Sequence, residues 1–240
     1  CLVGSEMCIR DSVMVGSAGN HGTEMDSKDD NTPRSYPQLY SATFIGHLNH
    51  AVGSVSTDDS YAAILRMREG TAGEFGNILV YNTGTYGVKN DDCYSETKSQ
   101  TAPGDSNTLF FSSNNVIYGD GNTFDIDSSC EVSGTWTSTD AQAVTSDPQL
   151  ANMPYNADYD TAYFDPRPSS TSSILYSDVD TVPNDGFFTQ TDYKGCFDTS
   201  ADGYWLSTMS YAAETGMTGF DVDDSLSLIH ISEPTRHRRI

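Results

Sequence analysis

The chain has 240 residues with 34 acidic and 12 basic side chains, a formal net charge of −22. Nucleic acid is therefore excluded as an expected partner, because its binding depends on phosphate neutralisation by Lys and Arg. No run approaches the ~20 apolar residues that span a bilayer, so we expect no membrane insertion. Cations, above all calcium, and neutral glycans stay as candidate partners, although a solvated acidic surface is the favoured explanation.

The two ends of the chain differ in character from its interior. Residues 1–12 and 226–240 resemble translated sequencing-adapter sequence, and we expect neither end to carry function. The interior divides into a strand-rich part, residues 13–132, and a loop-rich closing or capping part of the same domain, residues 133–225. Abundant Ser, Thr, Asn, Gly and Tyr with little Lys favour an all-β exported protein.

Short apolar runs bounded by turn residues recur through the strand-rich part. Each run has the length of a strand and is rich in β-branched and aromatic residues. The runs lie at residues 40–46, 61–67, 77–82, 108–111 and 115–119. The spacing of 21 residues from Phe44 to Leu65 is close to one coil of a parallel β-solenoid, and a β-sandwich stays open as the alternative.

The closing part is interrupted by prolines, which resist a central strand because each lacks a backbone N–H. These prolines include Pro148, Pro154, Pro166 and Pro168. Residues 202–218 are expected to form a short helix or a final strand that closes the stack.

Four separated motifs, in a fixed order, carry a family resemblance across about residues 22–211. They lie at residues 32–46, 65–78, 164–168 and 187–197, with an acidic turn at 22–26 before them and Trp205 after them. The motifs resemble secreted right-handed parallel β-helix proteins of bacteria, many of them uncharacterised surface proteins carrying a type IX secretion signal. This resemblance implies an all-β right-handed parallel β-helix, of which the chain is a carboxy-terminal fragment lacking its first coils. Cys196 departs from the pattern, which has a small residue there.

The interior holds three cysteines, Cys93, Cys130 and Cys196. Their spacings fit no zinc pattern. If the protein is exported, one disulfide with Cys93–Cys130 as its candidate pair leaves one thiol over. Three unpaired thiols stay open as the alternative, because sequence does not fix connectivity.

Two kinds of polar side chain are candidates for a special role. Asp120, Asp125 and Asp127 surround a short strand and suggest a weak calcium hypothesis, although calcium takes six to eight oxygen ligands and a solvated turn is favoured. The asparagines at solenoid turns are expected to bond the next coil as a structural ladder. They are Asn77, Asn82, Asn114 and Asn115.

We therefore expect an extracellular or cell-surface structural and adhesive module, with glycans or calcium as candidate contacts. The alternative is a glycan-active β-helix enzyme, a polysaccharide hydrolase or lyase. A groove with two facing carboxylates and aromatic platforms such as Trp136 would indicate the enzyme. A plain polar face with stacked ladders would indicate the module. No catalytic motif is present in the sequence, so no catalytic or cofactor-binding residue is assigned.

Overall fold

The computed structural model describes residues 12–14, 21–27, 34–46, 63–81, 86–93, 97–99, 108–119, 122–127, 130, 142–144, 147–153 and 165–200. This part is all-β with almost no helix, apart from a 3-10 turn at Ile174–Tyr176. Its strands are β1 (Ser12–Met14), β2 (His21–Met25), β3 (Gln38–Tyr40), β4 (Thr43–Ile45), β5 (Ala63–Arg68), β6 (Gly73–Gly76), β7 (Leu79–Tyr81), β8 (Tyr86–Asp91), β9 (Thr97–Ser99), β10 (Thr108–Phe111), β11 (Val116–Tyr118), β12 (Asn122–Ile126), β13 (Gln142–Val144), β14 (Leu150–Asn152) and β15 (Asp165–Pro168).

Three parallel sheets contain strands β1 to β13. Sheet A has the order β1-β4-β7-β11-β13, sheet B the order β12-β8-β5-β2, and sheet C the order β3-β6-β10-β9. The chain visits the sheets in rotation, because β1, β2 and β3 lie in A, B and C, and β4, β5 and β6 repeat that order. We call one such passage a round. Strands β14 and β15 form a separate antiparallel pair.

Four strand pairs of sheets A and C, namely β4–β7, β7–β11, β3–β6 and β6–β10, have a register of 36 or 37 residues, whereas other parallel pairs range from 11 residues for β9–β10 to 42 residues for β2–β5. Phe44 lies opposite Val80, 36 residues later, and Leu39 lies opposite Phe75 at the same spacing. The predicted repeat of 21 residues between Phe44 and Leu65 is therefore wrong. Those two residues belong to different sheets, and Leu65 pairs with Val88 instead. A round contains three strands, so neighbouring apolar runs are successive strands of one round.

The main core lies on the faces of the three sheets that point toward each other. Alternation along the strands places every second residue on this face. All of its members are buried, and they are Ala42, Phe44, Ile64, Leu65, Met67, Phe75, Ile78, Val80, Val88, Leu109, Phe111 and Ile117. Packing of Phe44, Val80 and Ile117 in the core fixes the register of their strands in sheet A, because a slip of one residue would turn each side chain outward.

Sheet A is also covered on its other face, by residues 165–200, which we call the closing segment. A second core forms there between outward-facing Ile45, Leu79 and Val116 and the closing-segment residues Leu175 and Phe197. This explains why all of Thr43–Ile45 and Leu79–Tyr81 are buried although strands usually alternate.

The predicted strand runs are confirmed as β4, β5, β7, β10 and β11, while β6 and β8 were not predicted. The prolines Pro166 and Pro168 occur in β15, which belongs to a two-stranded pair rather than a central position. Residues 202–218, Trp136 and Asn82 lie outside the described residues, and the predicted limits of the two parts of the domain stay predictions. No helix within the described ranges is long and apolar enough to cross a membrane.

Candidate functional site

The three residues of the calcium hypothesis lie around β12. Asp125 pairs in register with Lys89, and Asp127 is exposed with its N–H donating to the carbonyl of Asn90 at 2.9 Å. Asp120 and the side chain of Asp125 lie outside the described residues. Among the residues that are described, no group of three or more His, Cys, Asp or Glu side chains is placed to hold a metal. The calcium site stays a prediction.

Sheet B presents a ladder of charged side chains on its outer face. Register places Glu24 of β2, Arg66 of β5 and Lys89 of β8 side by side. Arg66 donates to Glu24 at 2.9 Å and binds both carboxylate oxygens of Asp91, at 3.3 and 2.9 Å. Burial opposes the charge of Arg66, but the hydrogen bond and charge of Asp91 raise the pKa of Arg66 overall.

Arg68, two residues along the same strand, lies at the rim of this ladder. It pairs with Glu24 at 3.2 Å, Glu69 at 2.9 Å and Asp92 at 3.1 Å. The contacts with Glu24, Asp91 and Asp92 tie adjacent rounds together, whereas the contact of Arg68 with Glu69 lies within one round.

A buried carboxylate on sheet C is held by two tyrosines. Glu74 of β6 is 2% exposed and accepts hydrogen bonds from the hydroxyls of Tyr36 and Tyr40, the latter at 2.9 Å. Burial first, and then the hydrogen bond and charge of Glu74, raise the pKa of Tyr40 far above its usual value. Gly76 leaves room for this arrangement, since a Cβ there would lie 2.5 Å from the Tyr40 ring.

The turn between sheets C and A, which we call the corner, is built from polar residues of successive rounds. It consists of Ser41, Asn77, Asn114 and Asn115. Ser41 and Asn77 both have φ 54°, a left-handed conformation that Asn tolerates better than most residues. Asn115 accepts a hydrogen bond from the N–H of Ile78 at 2.8 Å and donates to the carbonyl of Phe75 at 2.9 Å, so it bonds the previous round. The structural role predicted for Asn115 is confirmed.

The other corner asparagines bind the closing segment. Asn77 accepts from the N–H of Asp180 at 2.7 Å and donates to its carbonyl at 2.9 Å. Asn114 donates to Oδ1 of the Asp180 carboxylate at 2.7 Å. The Oδ2 atom of the same carboxylate is buried without a hydrogen-bond partner. Asn77 and Asn114 therefore lie at turns, as predicted for the asparagine ladder. Their side chains bond the closing segment rather than the next round.

Lys194 enters the same region from the closing segment. It is 1% exposed, and its ammonium nitrogen has no hydrogen-bond partner. Burial lowers the pKa of Lys194 against the opposing charges of Asp178 and Asp180. A buried charge without a pair is costly, and Lys194 differs in this respect from the buried pair of Arg66 and Asp91.

An aromatic stack stands beside the corner. Phe187 is 38% exposed and packs edge to face on Phe188, which packs in the same way on Tyr40. Asp185 accepts a hydrogen bond from the N–H of Phe187 at 2.9 Å and fixes the loop that carries the ring. The exposed ring is therefore supported by packed aromatic rings and by a hydrogen bond to its own backbone N–H.

Cys93 and Cys130 form a disulfide, which settles the two alternatives left by the sequence in favour of the bonded pair. Cys196 is a free, buried thiol in the second core. Three other side chains of the site, Glu74, Asp180 and Lys194, were not singled out from the sequence. Each is charged, and Glu74 and Lys194 lie directly beside a glycine, as solvated turn residues often do.

No family model, no curated protein and no solved structure matches this chain.

Proposed function

We propose that the protein is a right-handed parallel β-helix that serves as an extracellular or cell-surface structural and adhesive module. The observation that carries this proposal is the rotation of the chain through three parallel sheets, in which strands of successive rounds pair in register. A solenoid is the simplest architecture with that connectivity. The resemblance of its motifs to exported bacterial β-helix proteins points the same way.

The disulfide supports an exported location. Structural disulfides persist in oxidising compartments and are rare in the cytosol. Cys93 and Cys130 bond adjacent rounds and are both buried, so the bond belongs to the fold rather than to an exposed redox site. An acidic protein with few lysines is also suited to a role outside the cell.

The internal use of polar side chains favours a module over a glycan-active enzyme. The carboxylates of Glu74, Asp91 and Asp180 all bind side chains of the protein itself. A glycoside hydrolase instead needs two carboxylates that face the scissile bond at a defined separation. The exposed ring of Phe187 offers a surface for stacking against a sugar face, and this supports glycans as the contact.

Retention of polysaccharide by the immobilised full chain tests the function. We expect beads carrying the protein to retain one or more neutral polysaccharides, with no new reducing ends and no unsaturated product in solution. Phe187→Ala is expected to weaken retention at least several-fold, and Thr189→Ala, at an exposed position on the same loop, is the matched control. Release of sugar products would support the enzyme, and the absence of retention by any polysaccharide would contradict adhesion.

A second experiment tests whether the protein binds calcium. Retention and thermal stability are compared in calcium and in a chelator, using the wild type and an Asp125→Asn, Asp127→Asn variant. A ligand that binds only the folded state raises its stability. A calcium-dependent rise that the variant abolishes would assign the metal to β12, and equal curves would leave these residues as a solvated turn.

A further inference from the structure

Lys194 is buried where the closing segment lies on sheet A. The residue is 1% exposed, and its Nζ atom has no hydrogen-bond partner. The two residues that follow are bound to sheet A, because the N–H of Gly195 donates to the carbonyl of Asn77 at 2.8 Å and the N–H of Cys196 donates to Oγ1 of Thr43 at 3.0 Å. A protonated amine at this position would be a buried charge without a partner, which is costly.

The backbone beside Lys194 has little room to move while the closing segment stays in place. Gly195 has φ 81°, a conformation that favours glycine, and a Cβ there would lie 2.7 Å from Oγ1 of Thr43 and 3.5 Å from Cβ of Leu79. Cys196 and Phe197 are both buried in the second core. We therefore expect the amine to reach water only when this part of the closing segment leaves sheet A.

The charges near Lys194 come from the closing segment itself. Burial lowers the pKa of Lys194, and the opposing charges of Asp178 and Asp180 offset this effect only in part. Neither carboxylate hydrogen-bonds to Nζ, and Oδ1 of Asp180 is bound by Asn114. The other titratable side chains in or beside the second core, within the described residues, are Tyr81, Tyr118, Tyr176, Tyr193 and Cys196.

We propose that Lys194 is a pH-dependent latch, which keeps the closing segment on sheet A while its amine is neutral and releases the segment when the amine is protonated. In the released segment the amine is in water and has its ordinary pKa of about 10.4. The bound segment, with the lower pKa, holds fewer protons between the two values. Lowering the pH through this range therefore favours release by up to about tenfold per pH unit, and the effect becomes constant below the lower pKa.

Release would uncover the outer face of sheet A. Ile45, Leu79 and Val116 form the apolar part of that face, and Cys196 would become accessible with them. The latch goes beyond the proposed function and does not depend on glycan contact. Failure of the adhesion experiment therefore leaves this proposal standing, and failure of this proposal leaves the adhesion experiment unchanged.

Nuclear magnetic resonance of the full chain, labelled with carbon-13 in its lysines, tests the protonation step. The lysines are Lys28, Lys89, Lys98 and Lys194. The Cε signal of Lys194, assigned by its absence from Lys194→Met, is expected to titrate at a lower pH than the signals of the other lysines. Titration of the Lys194 signal near pH 10.4 together with the others would overturn the proposal.

Modification of Cys196 by a thiol reagent tests the release step. Cys196 is a free thiol and is 3% exposed, so we expect the reagent to reach it only after release. The rate is measured on the Cys196 peptide by mass spectrometry, and the rate of the wild type is divided by that of Lys194→Met at the same pH, which cancels the ionisation of the thiol. This ratio is expected to rise by up to about tenfold per pH unit as the pH falls from 10, and then to level off. A ratio that does not change with pH would overturn the latch.

Lys89→Met is the matched control, because it removes a lysine from sheet B. The modification rate of this variant, divided by that of Lys194→Met, should follow the same pH dependence as the ratio for the wild type. Formation of the Cys93–Cys130 disulfide reports folding of each variant. If Lys194→Met does not fold, the wild-type lysine signals still decide the proposal, since titration of all of them together would overturn it and Lys89→Met shows whether an early signal belongs to Lys89.

Discussion

Cys93 and Cys130 are joined by a disulfide across a separation of 37 residues, close to the spacing of one round. The bond therefore links equivalent points of neighbouring rounds just beyond β8 and β12. Its effect on stability comes mainly from restricting the unfolded chain, and a loop of this size is worth about 4 kcal/mol in the entropic estimate. We expect Cys93→Ser, Cys130→Ser to lower the free energy of unfolding by about 2–4 kcal/mol in urea titrations.

The third cysteine provides the control for this prediction. Cys196→Ala removes a buried thiol but no cross-link, so adding reductant should destabilise this variant as much as the wild type. The doubly substituted variant should be insensitive to reductant. Equal stability of the wild type with and without reductant would contradict a structural role for the bond.

Arg66 and Arg68 allow a comparison of a buried and an exposed ion pair on one strand. The side chain of Arg66 is 9% exposed and that of Arg68 is 25% exposed. Removing Arg66 leaves the buried carboxylate of Asp91 uncompensated, so Arg66→Ala is expected to cost about 3–5 kcal/mol. Arg68→Ala is expected to cost about 0–1 kcal/mol, because exposed pairs contribute little.

Salt concentration and a double variant separate these effects further. The cost of Arg66→Ala should change little with added salt, whereas that of Arg68→Ala should shrink. Arg66→Leu, Asp91→Leu is expected to recover much of the stability, since both charges are then removed together. Equal costs for the two alanine variants would show that burial does not govern the strength of these pairs.

We expect substitution of Asn115 to lower the free energy of unfolding by more than most substitutions of polar residues in the corner. Its side chain satisfies the N–H of Ile78 and the carbonyl of Phe75, both of which are buried. Asn115→Ala leaves the N–H of Ile78 without a partner, while the carbonyl of Phe75 keeps the hydrogen bond from the N–H of Ser112 at 2.9 Å. The substitution is therefore expected to cost about 1–3 kcal/mol in chemical unfolding. Ser113→Ala, at an exposed position of the same turn, should change stability by less than about 0.5 kcal/mol.

We expect ionisation of Tyr40 to lower the free energy of unfolding at alkaline pH. Its pKa is raised in the folded protein, so between the unfolded value of about 10 and the folded value the unfolded chain binds fewer protons. The contribution of Tyr40 is therefore complete below pH ~10 and declines as the pH rises further. The decline for one proton is about 1.4 kcal/mol per pH unit.

The variant Tyr40→Phe tests whether Tyr40 causes this dependence of stability on pH. Tyr40→Phe leaves Glu74 with one fewer donor and should cost about 1.5–3 kcal/mol near neutral pH. The difference between wild type and variant should narrow above pH ~10, because the variant has no hydroxyl to ionise. Tyr118→Phe is the comparison, and a wild-type slope in Tyr40→Phe would refute the role of Tyr40.

The sequence predicts well those strands whose apolar residues lie together in one short run. Phe44, Val80 and Ile117 are of this kind, and the runs that hold them became strands of sheet A. Strand β6 was missed because Gly73 and Gly76 suggest a turn, whereas Gly76 is needed for contact with the Tyr40 ring. The repeat was misjudged because β4 and β5 are separated by a long connection and β7 and β8 by a short one.

The contacts between the corner and the closing segment could not be predicted, for a different physical reason. Asn77 contacts Asp180 across 103 residues, and this contact exists only because the closing segment folds back over sheet A. The sequence around either residue contains no pattern that predicts contact with the other. The disulfide could be named as one of two alternatives, since a pair of cysteines limits the choices while an asparagine and an aspartate do not.

The closing segment is also expected to affect how the protein unfolds. Stacked repeats usually behave as a chain of neighbours that can fray one after another from either end. Here one segment runs across several rounds, bonding Thr43 through Cys196, Asn77 through Gly195 and Asn114 through Asp180. Opening any of these three turns breaks contacts that the same segment shares with the other two. We therefore expect the rounds that the closing segment joins to unfold together, more cooperatively than pairing between neighbouring rounds alone would require.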